Sequence, residues 1–183
     1  LFLKEMLFSV GLFLFVSLVS SAYECPKPNG TAKQLQYYEC STNKVHALKI
    51  VSLKVTDKDE NESYPIDLRM PVIGIAMINN TGPTVNSIIA DVKVEFYGSL
   101  FWKSCTWINI PTFGLLSNIR YCYGCPLLPG MMQLAMTVDF SKYTPILHFV
   151  SSGLVYAVEI VVRNGAMPEN EIACLRVESL ITT

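Results

Sequence analysis

Two cysteines three apart, Cys122 and Cys125 in "RYCYGCPLLPG" (residues 120–130), have the spacing in this chain most suggestive of chemistry. Such a pair serves as two metal thiolates, as a redox dithiol, or as half-cystines of a structural framework. Zinc needs four ligands. No second Cys-x-x-Cys occurs here, and the two histidines, His46 and His148, lie far off in sequence. A redox dithiol usually opens a helix, whereas here Pro126, Pro129 and Gly130 lead into a strand-like run. Structural half-cystines are the favoured reading, provided the compartment is oxidising. Other catalytic chemistry has less support. A hydrolytic triad needs a His oriented by an acid, but His148 sits in an apolar stretch without one, and there is no Gly-x-Ser-x-Gly turn. No catalytic residue, metal site or cofactor is expected.

The compartment is read from the other end of the chain. It opens "LFLKEMLFSVGLFLFVSLVSSAYECP", with residues 7–19 almost wholly apolar and Ser20-Ser21-Ala22 where a signal peptidase reads small residues. The run is shorter than the ~20 apolar residues a spanning helix needs. Residues 1–22 are therefore expected to be a signal peptide, with Met6 as the start. The mature protein is expected to be secreted or to reach the lysosomal lumen. Six cysteines (Cys25, Cys40, Cys105, Cys122, Cys125 and Cys174) are then expected to form three disulfides. Sequons at Asn29, Asn61 and Asn79 fit an exported glycoprotein. A net charge of −1 without a basic run argues against a nucleic-acid partner. Charged residues make up 16% of the chain, below the usual ~25%, which suits a chain with a large apolar interior.

The elements that would position these residues read as strands. Residues 23–38 are polar and form an N-terminal lead; residues 39–183 form one domain. "HALKIVSLKV" (46–55) alternates, but its parity changes between Ile50 and Leu53, which calls for a bulge or a strand buried on both faces. Pro71 breaks the run over residues 66–79, so an edge strand or kink is expected there. In "IIADVKVEFYG" (88–98), Val92, Val94 and Phe96 face one way and Asp91, Lys93 and Glu95 the other. Residues 111–130 are rich in Pro and Gly and read as loop. "MMQLAMTVDF" (131–140) is a strand, and residues 154–163 and 172–181 form a hairpin through "NGAMPENE" (164–171), where Asn164-Gly165 is a turn signal. Strands at regular spacing predict an all-β antiparallel two-sheet sandwich. An immunoglobulin-like module is the alternative, although Trp102 and Trp107 flank Cys105 where that fold places its Trp well before the second cysteine.

Cys40 before a strand, Cys174 inside the last strand, Cys125-Pro126 to Gly130 ahead of a mid-chain strand, and the hairpin "YAVEIVVRNGAMPENEIACLRVES" together resemble the ML lipid-recognition superfamily, and within it the lysosomal ganglioside activators. The resemblance implies a sandwich opened into a disulfide-stapled, lipid-binding β-cup. It also implies a non-enzymatic function: binding or transferring a membrane lipid, a glycosphingolipid above all, and presenting it to a glycoside hydrolase or another membrane. A sterol, phospholipid or fatty-acid carrier of the same fold is the variant reading. The resemblance further pairs Cys40 with Cys174, and Cys105 with Cys122 or Cys125, which leaves Cys25 for the remaining loop cysteine.

Lipid carriage needs an apolar opening with transient contact to a membrane surface. The candidate lipid-binding residues are Trp102, Trp107, Ile110, Phe113, Leu115, Leu116, Leu127, Leu128, Tyr143, Ile146, Leu147 and Phe149. Loops are usually polar and these are not, which marks either a membrane or partner contact or a cover over an ordinary core.

Overall fold

A computed structural model describes residues 24–40, 44–62, 64–99, 104–120, 122, 124–140 and 144–183. The expected signal peptide, Trp102 and Tyr143 lie outside the described residues. The alternating runs become β1 (Gln36–Glu39), β2 (Leu48–Thr56), β3 (Ile66–Asp67), β4 (Val72–Asn80), β5 (Ile88–Gly98), β6 (Thr106–Asn109), β7 (Gly130–Val138), β8 (Val155–Asn164) and β9 (Met167–Thr182), with, among the described residues, one short α-helix, α1 (Thr144–Leu147). A large sheet runs β1-β9-β8-β5-β6, with β3 added to β9 in parallel; a small sheet runs β2-β4-β7. All the other strand pairings are antiparallel.

The parity change in β2 is a bulge: Ile50 faces Ile78 but Ser52 faces Met77, so Val51 is the extra residue. The bulge keeps Leu48, Ile50, Leu53 and Val55 on one face, in line with Ile78, Ala76 and Gly74 of β4 and Met132, Leu134 and Met136 of β7. That face is the inner one, because Leu48, Met132 and Leu134 share a core with Ile88, Val162, Ile172 and Ala173 of the large sheet. The charge alternation of β5 also holds. Val92, Val94 and Phe96 stand opposite Ile160, Val158 and Tyr156 on the inner face, while Asp91, Lys93 and Glu95 lie on the outer. Pro71 falls between β3 and β4, where its missing N–H costs no ladder bond; β4 itself is the central strand of the small sheet, not an edge.

The apolar residues gather in two places. One cluster (Leu48, Val85, Leu127, Ile172, Ala173) ties the sheets together at the end where β2 begins and β8 finishes. The other (Ile110, Tyr156 and Ile181, with Val94, Phe96, Leu116, Val150 and Leu154 against it) belongs to the large sheet and its loops, with no described residue of the small sheet in it. The sandwich therefore has a joined end and an open end.

Cys40 pairs with Cys174, as the resemblance implies. The other pairings correct it: Cys25 pairs with Cys105, and Cys122 with Cys125. A disulfide needs Cα atoms within ~7 Å. Cys122 and Cys125 pack on the joined-end cluster, while Cys105 precedes β6 at the other end of the sheet, where the N-terminal lead brings Cys25 to a Cα distance of 5.8 Å. The lead is thus a strap. It is fixed at Cys25 beside β6, makes a 3-10 turn at Pro28–Gly30, and joins the sheet as β1 at the opposite edge. On the way, the Asn29 amide donates to Glu178 Oε2 (2.8 Å) and the Tyr64 hydroxyl donates to the Thr31 carbonyl. The strap crosses the outer face of the large sheet. Val155, Ala157 and Glu178 on that face are buried, the last two with 0% exposure. No immunoglobulin pattern results, because Cys40–Cys174 joins neighbouring strands of one sheet instead of crossing between sheets.

Non-reducing peptide mapping is expected to recover Cys25–Cys105, Cys40–Cys174 and Cys122–Cys125, with no fragment joining Cys105 to Cys122 or Cys125. Removing the strap disulfide in Cys25→Ser/Cys105→Ser, a bridge spanning 80 residues, is expected to lower stability by about 2–4 kcal/mol in urea melts.

Candidate functional site

The site is the gap between the sheets on the open side of the joined-end cluster. In a closed sandwich the central inner-face side chains interdigitate across ~10 Å and disappear from solvent. Here Val92, Val94, Val158, Ile160, Leu175 and Val177 of the large sheet all stay partly exposed, as do Ile50, Leu53 and Val55 of the small one. On β4 only Ile78 and Asn80, at the joined end, are buried. Farther along that strand the inner face carries Ala76 and Gly74, and a Cβ added at Gly74 would meet nothing closer than the Met136 carbonyl oxygen, at 3.9 Å. The smallest side chains of the small sheet stand where a sandwich core would need its largest.

The outer face of the large sheet shows the reverse. Arg176 on β9 lies across β8. Its Nη1 is 2.6 Å from Glu95 Oε2 and 3.5 Å from Glu159 Oε2, and its Nε donates to Glu178 Oε1 at 3.0 Å. The Trp107 ring covers the guanidinium, 4.6 Å from the ring centre, and Tyr38 donates its hydroxyl to Glu178. Burial pushes the Glu95 carboxyl up, but hydrogen bonds from Arg176 and Lys93 outweigh it and hold the group below the usual carboxylate range. Burial, followed by the bond to Glu178, raises the Tyr38 phenol. Desolvation works against the Arg176 charge, and Glu95, Glu178 and Tyr38 more than offset it.

The candidate lipid-binding residues fall into three groups. Trp107 is on the outer face, against Tyr97 (5.1 Å between ring centres) and Arg176, away from the gap. Leu127 is 2% exposed in the joined-end core, and the neighbouring Leu128 is exposed at that same end. Ile110 and Leu116 belong to the open-side cluster on the large sheet. Beside them Phe113, 67% exposed, meets Phe149, 48% exposed, at 6.2 Å between ring centres, and Leu115 is exposed nearby in sequence. Phe113 has φ of 51° and Gly114 has φ of 76°. A left-handed conformation costs a bulky residue roughly 1–2 kcal/mol, yet here it presents an aromatic ring to solvent. Leu147 is half-buried in α1; Ile146 lies in the same helix, with its side chain outside the described residues.

Sequence reasoning missed the opposite edge of the gap. A cleft of about 460 Å³ lies where β1 and β2 face each other, lined by Leu35, Tyr37, Leu53, Val55, Tyr64 and Ile66 with Lys33, Lys54, Gln34 and Glu62. Its volume is within the ~300–1,000 Å³ range of small-molecule sites. Tyr37 stands opposite Val177 and, like Leu53 and Val55, points inward, so the cleft opens onto the gap. The gap itself left a signal, the small residues Gly74 and Ala76 in the middle of an apolar strand, whereas the cleft, which neither residue lines, left none.

Among the described residues, one further group brings metal-type donor atoms together. Cys40, Glu159 and Cys174 place donor atoms within 4.8 Å of one another, but the two sulfurs are bonded together and leave Glu159 as a lone ligand. His46 is buried at the joined end against Glu171 (2.9 Å), which Lys44 also holds; the Lys44 hydrogen bond, partly opposed by burial, is the main reason the Glu171 carboxyl lies below its usual range. Of the sequon asparagines, Asn61 is exposed after β2 and Asn79 lies on the outer face of β4. Asn29 donates its amide nitrogen to Glu178.

No protein-family model matches this chain, and no curated protein matches it. Among solved structures it is similar to a Niemann-Pick type C2 protein from the Japanese carpenter ant, at 12% identity over 80% of this chain and 99% of that one, with a TM-score of 0.45. It is also similar to the C-terminal domain of wzt (7% identity, 82% and 80% covered, TM-score 0.42) and to chicken MD-1 complexed with lipid IVa (11% identity, 79% and 86% covered, TM-score 0.36). At these identities and scores, the likenesses transfer no function.

A group whose folded pKa is lowered contributes stability above its unfolded value and loses that contribution as pH falls through the folded one. Glu95 and Glu171 therefore contribute in full at pH 5, above their ordinary ~4.3. Urea melts are expected to be flat from pH 7 to pH 5 and to weaken below pH 4. Arg176→Met, which leaves Glu178 and Glu95 buried without their cation, is expected to cost about 3–5 kcal/mol at pH 7. That deficit should narrow as the carboxylates protonate.

Proposed function

We propose that this chain is a non-enzymatic lipid-binding protein that takes the apolar part of a membrane lipid into the gap between its sheets. The observation that carries the reading is the half-open inner surface around Gly74 and Ala76. Apolar side chains of both sheets face the gap and stay partly exposed there. Each methylene moved there from water gains ~0.8 kcal/mol, and a lipid leaving a bilayer loses nothing by the exchange when the gap is dry and fits it. Phe113, Leu115 and Phe149 form the membrane contact: two loops hold their aromatic rings together at the surface, and Phe113 does so in a costly backbone conformation. Ile110 and Leu116 support this contact from beneath.

The motif resemblance to the ganglioside activators makes a glycosphingolipid the first ligand to test, with delivery to a glycoside hydrolase or to a second membrane as the outcome. A sterol, phospholipid or fatty acid would use the same gap. Export through the signal peptide to the extracellular space or the lysosomal lumen, with glycans at the sequons, completes the reading.

Transfer of a fluorescent glycosphingolipid between vesicles, at pH 5 and pH 7, tests it. Wild-type protein is expected to accelerate transfer in proportion to its concentration. Gly74→Leu/Ala76→Leu, which adds bulk to the inner face of β4, is expected to abolish transfer while the urea midpoint holds, since a Cβ at Gly74 meets nothing closer than 3.9 Å. Phe113→Ser/Phe149→Ser is expected to slow extraction from vesicles several-fold while leaving uptake of a water-dispersed apolar probe unchanged. Transfer that survives the filled gap would overturn the proposal.

A further inference from the structure

The cleft at the β1–β2 edge has a polar composition that the apolar gap does not need. Its inner wall is Leu35, Leu53, Val55 and Ile66, and its rim carries the ammonium groups of Lys33 and Lys54 and the carboxylate of Glu62. Among the described residues, neither lysine side chain has a carboxylate or hydrogen-bond partner, so against the single carboxylate of Glu62 the cleft keeps a net positive charge and two unpaired ammonium groups. The adjoining cleft shares Val55 and Ile66 and adds Thr56, Asp57, Asp67 and Met70. Its two acids are already engaged. Asp67 is held at about 2, chiefly by the Arg69 guanidinium, and Asp57 accepts backbone N–H groups from Asn61 and Asp59. Thr56, however, is 2% exposed, and its hydroxyl has no partner. A buried hydroxyl without a partner costs stability unless a further group binds it.

We infer that this edge is the head-group site for the lipid reading above, on which the inference rests, and that it selects amphiphiles with an anionic head, whose phosphate, sulfate or carboxylate lies between Lys33 and Lys54. Tyr37, Leu53 and Val55 lead from that position inward, so a chain attached to the anion enters the gap sideways, between the edges of the two sheets. The Phe113–Phe149 contact is on the far edge of the large sheet, next to β5 and β6, so membrane contact and head-group selection are served by different edges.

The test uses the full mature chain and vesicles carrying trace fluorescent phosphatidylglycerol or phosphatidylcholine with identical chains. Wild-type protein is expected to take up the anionic lipid about tenfold better or more, with the preference shrinking as salt screens the lysines. Lys33→Gln/Lys54→Gln is expected to remove the preference by bringing phosphatidylglycerol uptake down to the phosphatidylcholine level, and Lys33→Glu/Lys54→Glu to invert it. Equal uptake of both lipids by wild-type protein, or a preference unchanged in the variants, would overturn this inference and leave the lipid reading standing. Failure to take up either lipid would overturn both. Inorganic phosphate alone is expected to displace lipid no better than sodium chloride of the same ionic strength. Lysine-dependent displacement by free phosphate would make this a site for soluble anions and also overturn the inference.

Discussion

Everything in this fold follows from one imbalance: two apolar sheet faces of unequal width meet, among the described residues, in a shared core at one end. The small sheet has three strands, and its central strand carries Gly74 and Ala76 where bulk would be needed to reach the large sheet. Hydrophobic burial, worth roughly 25 cal/mol per Å², is thus realised around Leu48, Val85, Leu127, Ile172 and Ala173 and withheld between the sheets beyond them. A protein built this way cannot rely on its interior to hold its walls in place.

The large sheet compensates from outside. Its outer face, which in most sandwiches is the solvated one, is covered by a disulfide-anchored strap and stiffened by Arg176 reaching from β9 over β8 to Glu95 on β5. Glu178 lies fully buried under Tyr38, Asn29 and Arg176, and Cys40–Cys174 closes the β1–β9 edge. Breaking such a buried network by removing one partner costs far more than the network's net contribution, so its rigidity comes from geometry.

Much of this organisation was legible in the chain. The β5 alternation, the Asn164-Gly165 hairpin and the parity change in β2 each have a local physical cause, and each appears in the fold as read. The cysteine pairings other than Cys40–Cys174 were not legible, because they depend on which end of a sheet a loop reaches, and no spacing encodes that. The strap was missed for a related reason: Gln36–Glu39 is too short to show alternation and becomes a strand only because β9 offers it an edge. Trp107 was expected at the opening because aromatic residues favour interfaces, but strand register turns it to the outer face, onto Arg176. Phe113 and Phe149, read from the unusual apolarity of their loops, do meet at the surface. The β1–β2 cleft was invisible because its walls come from segments about twenty residues apart, whose proximity only the closed sheets create.

The central claim is that the gap between the sheets is a place for lipid and not an unfilled core. Lipid mass spectrometry of the glycosylated protein, secreted from eukaryotic cells and purified without detergent, tests it most directly. The account predicts a co-purifying lipid at close to one equivalent, or an apo protein that takes up one equivalent from vesicles, with Gly74→Leu/Ala76→Leu carrying none. Wild-type protein that is free of lipid and refuses it at both pH 5 and pH 7 would contradict the account.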